Sequence, residues 1–204
     1  PKASIIIIAS TIKLYPTEHY ELGLKLITCA TRRPSPAALS PQVKSLNYLN
    51  NIMAKIECLQ AGCDEGIMLN DQGNVAECTG DNIFVIKDGE AYTPTIASGA
   101  LDGITRRAVM AMAKKRGWPV EERAVMPEEL AAASEVFLCG TGAQISPVTS
   151  IVSFTSPGES VTSIDIFNPV SSFSPSRRHA DLAARSTSTI SSRSPRRSNR
   201  MPSS

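Results

Sequence analysis

The sequence predicts a mixed domain, α/β or α+β in class, joined to a tail of different character. Short β-branched apolar runs alternate with stretches of helical period between residues 3 and 150. Turns marked by Gly and Pro separate them, and no internal repeat is visible. Beyond about residue 151, Ser, Pro, Thr and Arg take over and the apolar residues lose any period. The expected division is a domain over residues 1–150 and a disordered tail over 151–204, which cannot offset its ordering entropy by burial.

Each element has its own signal. Residues 3–9 include Ile5-Ile-Ile-Ile8 and read as a buried strand, apolar on both faces. Residues 24–32 read as a second strand. Pro34, Pro36 and Pro41 make the next stretch a loop with stiff φ angles. Leu49, Ile52, Met53, Ile56 and Leu59 then recur at helical spacing, with Gly62 placed as a left-handed cap. Short strands are expected at 66–69, 74–77 and 82–87, the last ending in the hairpin signal Lys87-Asp-Gly-Glu90. A second helix opens near Asp102-Gly-Ile-Thr105 and ends at Gly117, with cations in its last turn. Residues 119–125 read as a strand, 127–133 as a short helix, and 135–138 as a strand leading into Gly140-Thr-Gly-Ala143.

Composition narrows the function. Hydrophobic residues make up 42% of the 204, enough for a real core, and the net charge of +2 builds no field for nucleic acid or an anionic membrane. Residues 151–204 carry seven arginines against three acidic residues, unlike the rest. An RNA-binding arginine/serine tail is weighed and set aside, because it lacks a sustained repeat and aromatics for stacking. The expectation is no nucleic-acid partner. Five cysteines without CxxC spacing and two histidines argue against a metal site and for reduced thiols. No apolar run reaches the length of a membrane span and no signal-peptide pattern is present, so a cytoplasmic, membrane-free setting is expected. Pro1 in place of Met points to a start that is not the natural one.

Taken singly, the candidate functional residues all have bland readings. Lys44 could be a solvated charge, although it sits between a proline-braced loop and a helix start, where a desolvated amine suits covalent chemistry. Glu77 could be an exposed strand residue; against a pyridine nitrogen it would keep that nitrogen protonated. Gly103-Ile-Thr105 could be only a helix cap, or a phosphate site at a helix start. Thr141-Gly-Ala143 could be a plain turn, or a place where backbone amides approach a ligand.

Together they say more. Lys44-Ser-Leu-Asn-Tyr-Leu-Asn-Asn, Glu77-Cys-Thr-Gly-Asp-Asn-Ile-Phe, Gly103-Ile-Thr-Arg and Gly140-Thr-Gly-Ala-Gln-Ile-Ser-Pro-Val occur in this order. The set resembles the class IV aminotransferases, the fold-type-IV pyridoxal-phosphate enzymes, and most of all their branched-chain members. D-amino acid transaminase and aminodeoxychorismate lyase share that scaffold. The resemblance runs from about Ser4 to Val148.

The resemblance implies the large cofactor-binding domain of that fold, with pyridoxal 5'-phosphate as cofactor. Lys44 would hold the cofactor covalently and move the proton at the reacting carbon. Glu77 would pair with the pyridinium nitrogen, and Tyr48 would lie near the phenolic oxygen. Ile104, Thr105 and Thr141 would hold the phosphate; Thr141, Gly142 and Ala143 would meet the substrate carboxylate. The implied reaction passes an amino group from Leu, Ile or Val to 2-oxoglutarate, in a homodimer if the chain is complete. Gly142 stands where alanine is usual and Gln144 where glutamate is common. The family's small N-terminal domain, which supplies a phosphate-binding arginine, has no counterpart, and the Ser/Arg/Pro tail replaces the usual end. A reading-frame fragment with an altered end is therefore expected, and a non-catalytic remnant that binds a full-length partner is the rival from another class.

Overall fold

A computed structural model of the protein describes residues 4–12, 14–118, 120–153 and 162–166. The elements are α1 (Thr17–Leu22), β1 (Leu24–Thr28), α2 (Leu49–Gln60), β2 (Glu65–Leu69), β3 (Val75–Cys78), β4 (Asn82–Lys87) and β5 (Glu90–Pro94). A 3-10 turn at Ile96–Ser98 follows, then α3 (Ile104–Lys115), β6 (Val120–Arg123), α4 (Pro127–Ala131), β7 (Glu135–Gly140), β8 (Gln144–Ser153) and β9 (Thr162–Asp165). The mixed α/β class is as the sequence predicts.

The strands form one mixed sheet in the order β3-β2-β1-β8-β7-β4-β5-β6, with β9 added on β8. β1 lies parallel to β2 and β8, and β5 to β6; the other pairs are antiparallel. The ten-residue β8 joins two halves, since its start pairs with β7 and its end with β1 and β9. The sheet curls until its ends nearly meet, where Val75 N–H on β3 donates to the Val125 carbonyl at 2.8 Å. It is a half-barrel.

Strand alternation decides which side chains fill it. Leu24, Leu26, Ile67, Leu69, Ile83, Val85, Val136 and Leu138 point inward and form one buried cluster with Tyr92, Val148 and Ile151. Their strand neighbours face outward under the helices. Ile27 and Met68 meet Ala54 and Cys58 of α2, while Phe84 and Cys139 meet Val109 of α3. The hairpin signal holds as well: Asp88 (φ 53°) and Gly89 (φ 84°) are both left-handed between Lys87 and Glu90, the two-residue turn whose twist suits a hairpin.

Four sequence expectations change. Residues 4–12 form no strand; Ile5–Ile8 are 83–88% exposed, because a β-branched run needs a ladder partner and none of the described strands provides one. The apolar stripe of α2 faces outward, with Leu49, Ile52, Met53, Ile56 and Leu59 all exposed, and only Ala54 and Cys58 are buried. The strand β8 occupies residues 144–150, to which the sequence reading assigns no element, and runs on into the expected tail. Pro147 stands opposite Phe137, at the point where β8 exchanges β7 for β1 as its neighbour. The division placed at 150/151 lies inside β8, and Thr162–Asp165 of the expected tail pairs with Ser150–Ser153. Ile166 is buried beside that pair, and residues 154–161 and 167–204 lie outside the described residues.

Candidate active site

A cleft of about 810 Å³ opens over one end of the half-barrel. Four pieces wall it: the loop from Arg33 to Tyr48, the turn between β3 and β4, the segment entering α3, and the turn between β7 and β8. Lys44, Tyr48, Glu77, Ile104, Thr105, Thr141 and Gly142, from four separate motifs, all line it. Ala143 is the exception, because its side chain is fully buried within the barrel cluster.

Lys44 sits in the irregular turn before α2, held by Gln42, whose side-chain amide donates to the Ala100 carbonyl at 2.6 Å. Its ammonium donates to the Tyr48 hydroxyl at 3.0 Å. Tyr48 is the N-cap residue of α2, and the irregular turn before the helix folds Lys44 back onto it.

Glu77 is 6% exposed, which rules out the solvated strand residue. The Arg33 guanidinium, itself buried, pairs with Oε1. Asn82 Nδ2 and Leu101 N–H donate to Oε2 at 3.0 and 2.9 Å. Burial pushes the Glu77 carboxyl upward, opposed first by Arg33, then by the Leu101 amide and the Lys44 charge. Such a group keeps its charge through its partners, not through water.

The start of α3 provides donors. Gly103 is its N-cap and no side chain caps it, so first-turn N–H groups have no partner within the helix. A Cβ at Gly103 would collide with Asn82 Oδ1, so a larger residue there would have to displace the amide that donates to Glu77. Ile104, the first residue of α3, lines the cleft and is 73% exposed. Arg106 is buried and bonded to the Pro94 carbonyl (3.0 Å) and Glu122 (2.6 Å), and Arg107 is bonded to Asp102 (2.6 Å).

Behind the cleft lies a second polar cluster. Glu65, 3% exposed, accepts from Lys55 (2.7 Å), Thr79 N–H (2.9 Å), the Thr79 hydroxyl and Tyr15. Tyr15 OH stands 3.2 Å from Glu65 and 3.1 Å from Asp81. Sequence reasoning missed Arg33, Asn82 and Asp81. The last two stand inside a quoted motif, but a side chain that holds another has no pattern of its own.

The family profile described as Amino-transferase class IV matches residues 1–151. The branched-chain-amino-acid aminotransferase of Escherichia coli strain K12 is 38% identical over 135 residues, 66% of this chain and 44% of that protein. A crystal structure of the Escherichia coli branched-chain amino acid aminotransferase is similar at a TM-score of 0.69 and 32% identity, over 84% of this chain and 53% of that one. The branched-chain amino acid aminotransferase from Thermobaculum terrenum, solved in its PLP form, is similar at 0.63 and 40% identity, over 64% and 43%. The chain thus spans about half the length of the relatives it matches, or less. The curled mixed sheet, the four motifs around one cleft and a profile match over most of the sequence lead to one statement: the chain belongs to the class IV aminotransferase family.

Proposed function

We propose that this chain is the cofactor-carrying part of a pyridoxal-phosphate aminotransferase that moves the amino group of Leu, Ile or Val to 2-oxoglutarate. The observation behind it is the single cleft in which an amine, a phenol, a buried carboxylate, an uncapped helix start and a tight turn converge. These residues fit the cofactor: a carboxylate for a protonated ring nitrogen, free N–H groups and a hydroxyl for a phosphate, and a lysine within the cleft. Pyridoxal phosphate supplies a carbonyl that condenses with amines and a ring that withdraws electrons from the carbon losing its proton.

The chain's own residues do the rest. Lys44 holds the cofactor through its amine and, once released, carries the proton at the reacting carbon. Tyr48, already bonded to that nitrogen, serves the ring's phenolic oxygen. Glu77 holds the proton on the ring nitrogen. The Ile104 and Thr105 backbone, with the hydroxyls of Thr105 and Thr141, binds the phosphate. The Thr141-Gly142-Ala143 backbone receives the substrate carboxylate. A homodimer in the cytoplasm is part of the same reading. D-amino acid transamination and aminodeoxychorismate cleavage are the alternatives on this scaffold, separated by the chirality of the amino donor and by pyruvate release.

The test is a visible spectrum of the purified chain with pyridoxal phosphate. A new absorption band is expected, lost in Lys44→Ala and kept in Lys114→Ala on exposed α3 surface. A band that survives Lys44→Ala would refute the assignment. One observation favours a second reading, a non-catalytic chain that binds an intact relative: the apolar run Ile5–Ile8 is exposed. Heterodimers on mixing with an intact enzyme, without a band from the chain alone, would select it.

A further inference from the structure

We propose that Arg33 is a positioning residue that clamps Glu77 as a carboxylate and leaves it one free acceptor site, facing the ring nitrogen of the cofactor; this rests on the reading above. An ionised carboxylate offers about four acceptor sites. Three are taken here. Asn82 and Leu101 fill Oε2, and Arg33 takes one side of Oε1. Among the described residues nothing takes the remaining lone pair on Oε1, which is left for a ligand in the cleft that Glu77 lines.

Arg33 is suited to this by its second attachment. Its Nε donates to the Gly99 carbonyl at 3.2 Å, and the planar fork then fixes where Nη2 can stand. Gly99 is left-handed at φ 99°, and a Cβ there would lie 3.3 Å from Arg33 Cγ, so glycine gives the guanidinium its seat. Residues 100–103 run from that seat to the start of α3. One arginine thereby ties the carboxylate end of the cleft to its helix-start end. Lysine at this position would keep the charge but not both contacts.

The experiment uses the whole 204-residue chain with 13C-labelled glutamate carboxyls, Glu77 being assigned by its loss in Glu77→Gln. Titration without cofactor should show the Glu77 midpoint rising by about 1–3 pH units in Arg33→Gln, since an adjacent arginine lowers a carboxyl by that much. Arg33→Lys should titrate near the parent. With pyridoxal phosphate added, Arg33→Lys should bind roughly tenfold more weakly, the effect of one lost charge-assisted contact. Arg33→Gln should lose as much as Glu77→Gln. A parent-like midpoint in Arg33→Gln, or parent-like affinity in Arg33→Lys, overturns the proposal; the second measurement decides alone if Arg33→Gln does not fold. A parent chain that shows the carboxyl effect but binds no pyridoxal phosphate would sink the functional reading and leave the clamp standing.

Discussion

Glu77 and Asp81 flank one tight turn, both are buried, and burial pushes both toward the protonated form. Their neighbours then separate them. Glu77 has a buried arginine and two further donors; Asp81 has the Tyr15 hydroxyl, which it shares with Glu65, and Glu65 pushes it further up. One phenolic proton serves one carboxylate at a time, so Asp81 in its charged form is poorly held. The sign of its pH effect follows. A carboxyl raised above its unfolded value stabilises the fold fully below the ordinary carboxylate range, and that stability is lost as pH rises through the raised midpoint. Asp81→Asn should therefore flatten the fall in Tm on going from mildly acidic to neutral pH, with its gain over the parent largest at neutral pH. Melting curves across that range check it, and parallel curves for the two proteins would show that Asp81 is better held than its contacts indicate.

At the scale of elements, α2 shows how far the sequence can be read. Its length and its glycine stop were legible, because spacing and the φ 65° at Gly62 are local properties. Its orientation was not. The period points to the Leu49-Ile52-Met53-Ile56-Leu59 stripe as the buried face, yet Ala54 and Cys58 lie on the sheet. Small side chains let the helix approach closely, and the Ala54 carbonyl accepts from the Cys29 thiol at 3.4 Å. A substitution pair distinguishes the two faces. Ala54→Leu should destabilise by about 1–3 kcal/mol through overpacking, whereas Ile52→Ala on the exposed face should stay within about 0.5 kcal/mol. Urea unfolding of the 204-residue chain measures both, and the reverse order would mean that the helix is turned the other way. Ile5–Ile8 and β8 were misread for related reasons. A strand is defined by a partner that the local sequence does not name, and Pro147 gives no local sign of its place between two neighbours. The convergence of the four motifs was more legible than the fold, because Lys44, Glu77, Thr105 and Thr141 stand in quotable runs that the curled sheet brings to one cleft. Arg33 and Asn82, which act on another side chain, were visible only in three dimensions.

For the whole molecule, the curled sheet brings four distant motifs to one cleft, and at the α3 start, where the proposal seats the phosphate, the described residues supply only neutral donors. The two arginines that follow it in sequence are committed elsewhere, Arg106 buried against Glu122 and Pro94, and Arg107 on Asp102. Arg33 is engaged at the opposite end by Glu77 and Gly99. A phosphate seated at the start of α3 thus gains a helix end, backbone N–H groups and hydroxyls, without a guanidinium from the described residues. One missing charge-assisted contact costs about 1.5–3 kcal/mol, or roughly ten- to a hundredfold in affinity. Residues 1–204 alone should accordingly bind pyridoxal phosphate more weakly than an intact branched-chain enzyme by about that factor. Under the proposed assignment, covalent attachment through Lys44 would hide part of the deficit at high cofactor concentration. If a further portion of the protein screens the cleft from water, turnover of residues 1–204 should suffer more than affinity, since transamination needs the reacting carbon screened. The decisive comparison is a fusion with the N-terminal portion of a close relative, scored for cofactor affinity and transamination side by side. Affinity and rate should rise together in the fusion, and an arginine of the added portion, changed to Gln, should reverse the gain in affinity. If residues 1–204 match an intact enzyme in both measurements, the neutral donors at the α3 start are sufficient and the need for a further cation falls.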